Sequence, residues 1–115
     1  MSGALILPSE ISSGKDREVR TLLADRWRKL VVIHVRRGSL LADHSAKVPI
    51  TIQTLAGTGR LRLGGEEHLL VPGVLVPVDA DVVHSVQGEP DVAILVTFFR
   101  QAGASEENET TARFE

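Results

Sequence analysis

The stretch formed by residues 55–73, LAGTGRLRLGGEEHLLVPG, decides the fold class. Between residues 60 and 63 charged and apolar side chains alternate, which is the period of a half-buried strand. Gly64-Gly65 comes next. Two glycines between such runs predict a tight hairpin turn, because glycine accepts the positive φ that these turns need. Residues 67–71 are the returning strand, and Pro72-Gly73 turns the chain again. The same texture extends in both directions. Upstream, residues 30–35 are a nearly continuous apolar run ended by Arg36-Arg37-Gly38, and residues 49–55 are rich in β-branched side chains. Downstream, residues 74–78, 82–86 and 92–99 read as further strands. Short strands with Gly and Pro at close spacing indicate an all-β sandwich or barrel.

At 115 residues the chain is of single-domain size, and its 43% hydrophobic content suffices for one core. A net charge of -2 offers no general attraction to nucleic acid or to an anionic membrane. The basic excess between Arg17 and Arg37 is diluted by Asp16, Glu18 and Asp25, and Trp27 is its lone aromatic. It reads as solvated surface, since binding single-stranded nucleic acid calls for several stacking rings. Without cysteine there are no disulfides, thiolate nucleophiles or thiolate metal sites. The opening MSGALILPSE has no basic region and no long apolar run, so no signal peptide is expected. No stretch approaches the roughly 18 apolar residues of a membrane span. These features together predict a cytoplasmic protein. Three parts are expected: an N-terminal segment, residues 1–26, with short strands at 4–7 and 18–23 and a role in a dimer contact; a β-barrel, residues 27–100; and an acidic, disordered tail, residues 101–115.

Two longer frames lie inside the β region. The first runs Gly38-SLLAD-His44-S-Ala46-KVP-Ile50-TIQTLA-Gly57, and the second runs Gly73-VLVPV-Asp79-A-Asp81-VV-His84-SVQ-Gly88. Their spacing resembles the two signature motifs of the cupin superfamily, and the stretch at 55–73 looks like the hairpin centre of small, single-domain, RmlC-like cupins. The resemblance covers about residues 28–99. It implies a cupin-type double-stranded β-helix, or jelly-roll barrel. In that family the first motif carries two His and a Glu, the second carries one His, and the four usually hold a divalent metal. Here His44 and His84 stand on ligand positions, while Ala46 and Ile50 replace the other two. The resemblance also implies a homodimer. Apolar character on both faces of residues 31–35 and 92–99 agrees with one.

His44 and His84 are therefore the leading candidates, expected to point into the barrel from adjacent strands. Two imidazoles could hold a transition metal such as Zn, Fe, Mn, Ni or Cu, but they fall short of the three protein ligands usual at a catalytic site. Without metal they serve a pocket lined by Ile50, Ile52, Val82 and Val86, mostly apolar with two polar handles. Alternation places Gln53 on the outer face. His34 sits on an apolar strand and reads as structural, with a third imidazole inside the barrel as the lesser alternative. His68 is expected to be exposed. Asp43 should face away from His44, and Asp79 and Asp81 read as turn residues at the barrel mouth. Arg60 and Arg62 share one strand face, either as solvated surface or as a carboxylate or phosphate contact. Gly57-Thr58-Gly59 is not a dinucleotide loop, because Arg62 occupies the third glycine position and no helix follows.

Three functions follow. The first is a barrel that binds a small organic molecule. The second is a metal-dependent dioxygenase, isomerase or decarboxylase with a reduced two-His set. The third is metal-free acid–base catalysis by a histidine. The cupin-like epimerases that do this also use a Tyr, and this chain has none.

Overall fold

The computed structural model describes residues 3–100; the expected tail at 101–115 lies outside them. Seven strands form the described chain: β1 (Arg17–Ala24), β2 (Arg28–Val35), β3 (Leu40–His44), β4 (Ile50–Leu63), β5 (Glu66–Leu70), β6 (Leu75–Val78) and β7 (His84–Phe99). All strand pairs are antiparallel.

The spine is the pairing of β4 with β7, the two longest strands. The first half of β4 pairs with β6 and its second half with β5. The second half of β7 pairs with β2, and its first half with β3. Strand β1 closes the edge next to β2. Two sheets thus share one bent pair of strands, which is how a jelly roll wraps a core.

Two pairs of segments that read as separate strands are single strands here. Residues 49–55 and 60–63 join in β4, and residues 82–86 and 92–99 join in β7. The punctuating glycines bend the strands without ending them. The β4–β7 register shifts at Thr54/Ala56 and again at Gly57/Gly59. Gly57 takes φ 75°, and a side chain there would run into the carbonyl of Asp91. Such bulges kink and twist a strand while its ladder continues. The Gly64-Gly65 turn is as expected, with Gly64 at φ 58° between β4 and β5. Strand β3 has no clear sequence signal: its burial alternates only at Leu40 and Leu41 before a bulge intervenes.

Between the sheets lies a core that includes Ile33, Leu61, Ile94 and Phe98. The outer face of β2 and β7 is covered as well. Val32 and Ala93 are fully buried within the single chain. Pro8 lines a cleft with Val32, and the Ile11 side chain lies against Gly57, so the N-terminal segment runs over this face. Apolar character on both faces of these strands therefore needs no second subunit. Residues 4–7, expected as a strand, pair with no other strand. The segment is instead held by side chains. The Arg36 guanidinium, buried at 3% exposure, donates to the Ser12 carbonyl (2.6 Å), the Lys15 carbonyl (2.8 Å) and the Glu18 carboxylate (2.7 Å).

Candidate functional site

His44 ends β3 and His84 begins β7, and the two are direct partners across the β3–β7 ladder. Residues opposite one another in an antiparallel pair project to the same face. For His84 that face is inward, because Val86, two residues on, belongs to the core, while Ser85 and Gln87 line an outer cleft. Leu63 flanks His84 on the other side, as its partner on β4. A row His44, His84, Leu63 thus crosses three strands at one end of the barrel.

His84 is buried at 2% exposure, and His44 is half-buried. The Nδ1 of His84 lies 3.1 Å from the carbonyl oxygen of Val82. A carbonyl can only accept, so Nδ1 carries the proton and Nε2 is the basic nitrogen of the neutral ring. Burial holds the His84 pKa below its ordinary value, against smaller opposing effects of the Val82 bond and Asp43. Burial does the same to His44, and His84 beside it pushes further in that direction. Both rings are therefore neutral at pH 7.

The other expected pocket residues divide. Ile50, Ile52 and Val86 are packed as core, with exposures of 1%, 0% and 2%. Aliphatic side chains from both sheets meet there and surround them. Val82 is half-buried and rests on the edge of that core. The rim formed by His44, His84 and Val82 is thus where the interior meets the surface.

The donor set does not fit a resident metal. Ala46 and Ile50 are buried at 3% and 1%, so the two remaining ligand positions hold packed methyl groups. Among the described residues no three His, Asp or Glu side chains group closely enough to hold an ion. Two imidazoles alone are fewer than the three or four ligands of known protein zinc sites.

The remaining candidates lie elsewhere. His34 is on the outer face, since its neighbours Ile33 and Val35 point into the core. Gln53 is also on the outer face, opposite Leu75 and Leu95. Asp43 lines an outer cleft of about 270 Å³ together with Arg60 and Arg62. Both arginines are engaged there: Arg60 pairs with Glu89 at 3.0 Å, and Arg62 with Glu67 at 2.7 Å. Asp81 pairs with Lys47 at the surface. His68 is partly exposed, 3.5 Å from Glu66. Thr54 was not singled out by sequence reasoning. Its hydroxyl is buried without a hydrogen-bond partner, facing inward beside Ile94. Alternation with Ile50 and Ile52 puts Thr54 on the inward face, but nothing in a β-branched run reveals that its hydroxyl goes unpaired.

Solved structures place the architecture. A cupin superfamily protein from Desulfitobacterium hafniense superimposes with a TM-score of 0.72 at 14% identity, over 79% of this chain and 84% of that one. The fold is a cupin jelly roll. An RmlC-like cupin from Desulfovibrio desulfuricans is similar at a TM-score of 0.67 and 21% identity, covering 72% of this chain and 81% of that one. Salicylate 1,2-dioxygenase from Pseudaminobacter salicylatoxidans gives 0.69 at 16% identity, with 73% of this chain matching 26% of the enzyme. No protein-family model matches the chain, and no curated protein matches it. Among the described residues no helix is long and apolar enough to cross a membrane.

Proposed function

We propose that this cupin-fold chain binds a small organic molecule at the barrel rim without a resident metal. The ligand's polar end meets His44 and His84, and its apolar body rests on Val82, with Ile50, Ile52 and Val86 forming the wall behind. The observation that carries this reading is the His44–His84 pair on one inward face beside an apolar core edge. Neutral imidazoles favour an uncharged hydroxyl or amide over an anion, since neither ring brings a positive charge to the rim. Cupin folds host many chemistries, so the reading rests on the site and not on the fold.

The finer expectations belong to the same proposal. The cysteine-free chain suits the cytoplasm. A homodimer would cover exposed apolar side chains such as Trp27, Leu75 and Phe99. A monomer in light scattering would remove that part.

The deciding experiment is elemental analysis of untagged protein, beside thermal-shift titrations with Mn, Fe, Co, Ni, Cu and Zn and a screen of small neutral molecules. No metal and no metal shift, together with a screening hit lost in His44→Ala, is the expected result. Near-stoichiometric metal that disappears in His44→Ala and in His84→Ala would replace this reading with a metal-dependent enzyme carrying two histidine ligands.

A further inference from the structure

A second site lies outside the barrel, on the face covered by the N-terminal segment. There a cleft of about 220 Å³ opens between that segment and the sheet. Its floor comes from β1 and β2. Glu18 pairs with His34 and Arg20 with Val32 across the ladder, so all four side chains share this outer face. Pro8 and Ser13 of the N-terminal segment complete the walls.

The charges in the cleft are unequally satisfied. Glu18 is neutralised by Arg36, whose other hydrogen bonds go to Ser12 and Lys15. Arg20 makes no ion pair among the described residues. The cleft therefore holds one positive charge in excess. Beside it, Nδ1 of His34 is buried with no hydrogen-bond partner. That nitrogen is sealed from solvent, but the half-buried ring as a whole lines the cleft. Pro8 adds apolar surface to the same space, and the buried Val32 lies beneath it.

From this arrangement we infer that the outer cleft binds a compact monocarboxylate, its anionic end on the Arg20 guanidinium beside the His34 imidazole, and its apolar part on Pro8. An arginine offers a carboxylate two parallel N–H donors, which suits a single planar anion. The cleft is smaller than the roughly 300–1,000 Å³ of drug-sized pockets, so the occupant is a small acid. This site is separate from the barrel rim and depends on no part of the reading given for it.

Calorimetric titration with benzoate, and with benzamide as its uncharged counterpart, tests the site on the full chain. Benzoate is expected to bind about tenfold or more tightly than benzamide, and Arg20→Gln to weaken it by a similar factor. Arg20→Lys should fall between, because it keeps the charge and loses the fork. His34→Gln should weaken benzoate too, whereas His44→Ala should leave it unchanged. Unaltered thermal unfolding of Arg20→Gln, an exposed substitution, would show that the fold is intact. No benzoate binding at millimolar concentration, equal binding of benzamide, or full binding by Arg20→Gln would overturn the assignment. Loss of benzoate in His44→Ala would also overturn it, by moving the anion to the barrel rim.

Discussion

Replacing Ala46 with His and Ile50 with Glu should convert the barrel rim into a metal site, and the cost and recovery can be worked out in advance. Ile50 is 1% exposed, between Val78 on β6 and Phe98 on β7. Removing so fully buried an aliphatic side chain forfeits about 1.5–3 kcal/mol. Burying a carboxyl group in its place adds about 1–3 kcal/mol, with the group protonating to avoid a naked charge. The change at Ile50 alone should thus cost the metal-free double variant about 2.5–6 kcal/mol, a large part of the 5–15 kcal/mol typical of a domain. For a domain of this size each 1 kcal/mol lowers Tm by about 4–8 °C, so a fall of at least about 10 °C is expected. A divalent metal at one hundred times its Kd should return about 2.7 kcal/mol, or about 11–22 °C. Circular dichroism melts with and without Zn or Mn measure both quantities, with the wild type as the control that should not move. His44→Ala in the same background should abolish the recovery. A double variant that folds only with metal leads to the same conclusion. Recovery that survives loss of His44, or no recovery with any metal, would refute the assignment of residues 44, 46, 50 and 84 to one cluster.

Two further outcomes are expected. Burial holds His44 and His84 below the ordinary value of 6.5, so near that pH the unfolded chain binds protons that the folded chain refuses. Their contribution to stability is complete above about 6.5 and is lost as the pH falls below it. The urea midpoint should therefore be lower at about pH 5 than at about pH 7.5, where Glu18, Asp25 and Glu67, all with lowered pKa values, are still ionised. An unchanged or higher midpoint at the acid pH would contradict the buried placement. Gly57→Ala should cost more than about 1 kcal/mol, because φ is 75° there and the new methyl group meets the Asp91 carbonyl. A neutral result in urea unfolding would mean that β4 does not bend at that point.

Much of the architecture was legible from local pattern alone. Alternation at residues 60–63, followed by two glycines, leaves little choice but a hairpin, because side-chain period and turn conformation are both set within a few bonds. The two glycine-and-histidine frames carried the fold family in the same way. What could not be read was which breaks are turns and which are bends. Gly57 and Gly88 look like strand ends, yet the ladder runs through both, because the partner strand bends alongside. Nor could the sequence tell what covers the second apolar face of β2 and β7. A neighbouring subunit was a sound expectation, but Arg36 holds the chain's own N-terminal segment across that face.

The candidate sites show the same division. His44 and His84 stand 40 positions apart, and their frames alone suggested that they meet; their facing each other across the ladder, with the His84 proton directed to Val82, follows from strand pairing. Ile50, Ile52 and Val86 were expected to line a pocket; the structure shows them buried in the core, and how open an interior is depends on the summed volume of side chains from both sheets, which no local pattern gives. The excess charge on Arg20 beside His34 has no sequence signature. It exists only because Arg36, far along the chain, has already taken Glu18. Residue type and spacing determined the strands, the turns and the family of fold. Long-range pairing alone decided which polar groups are satisfied and which remain for a ligand.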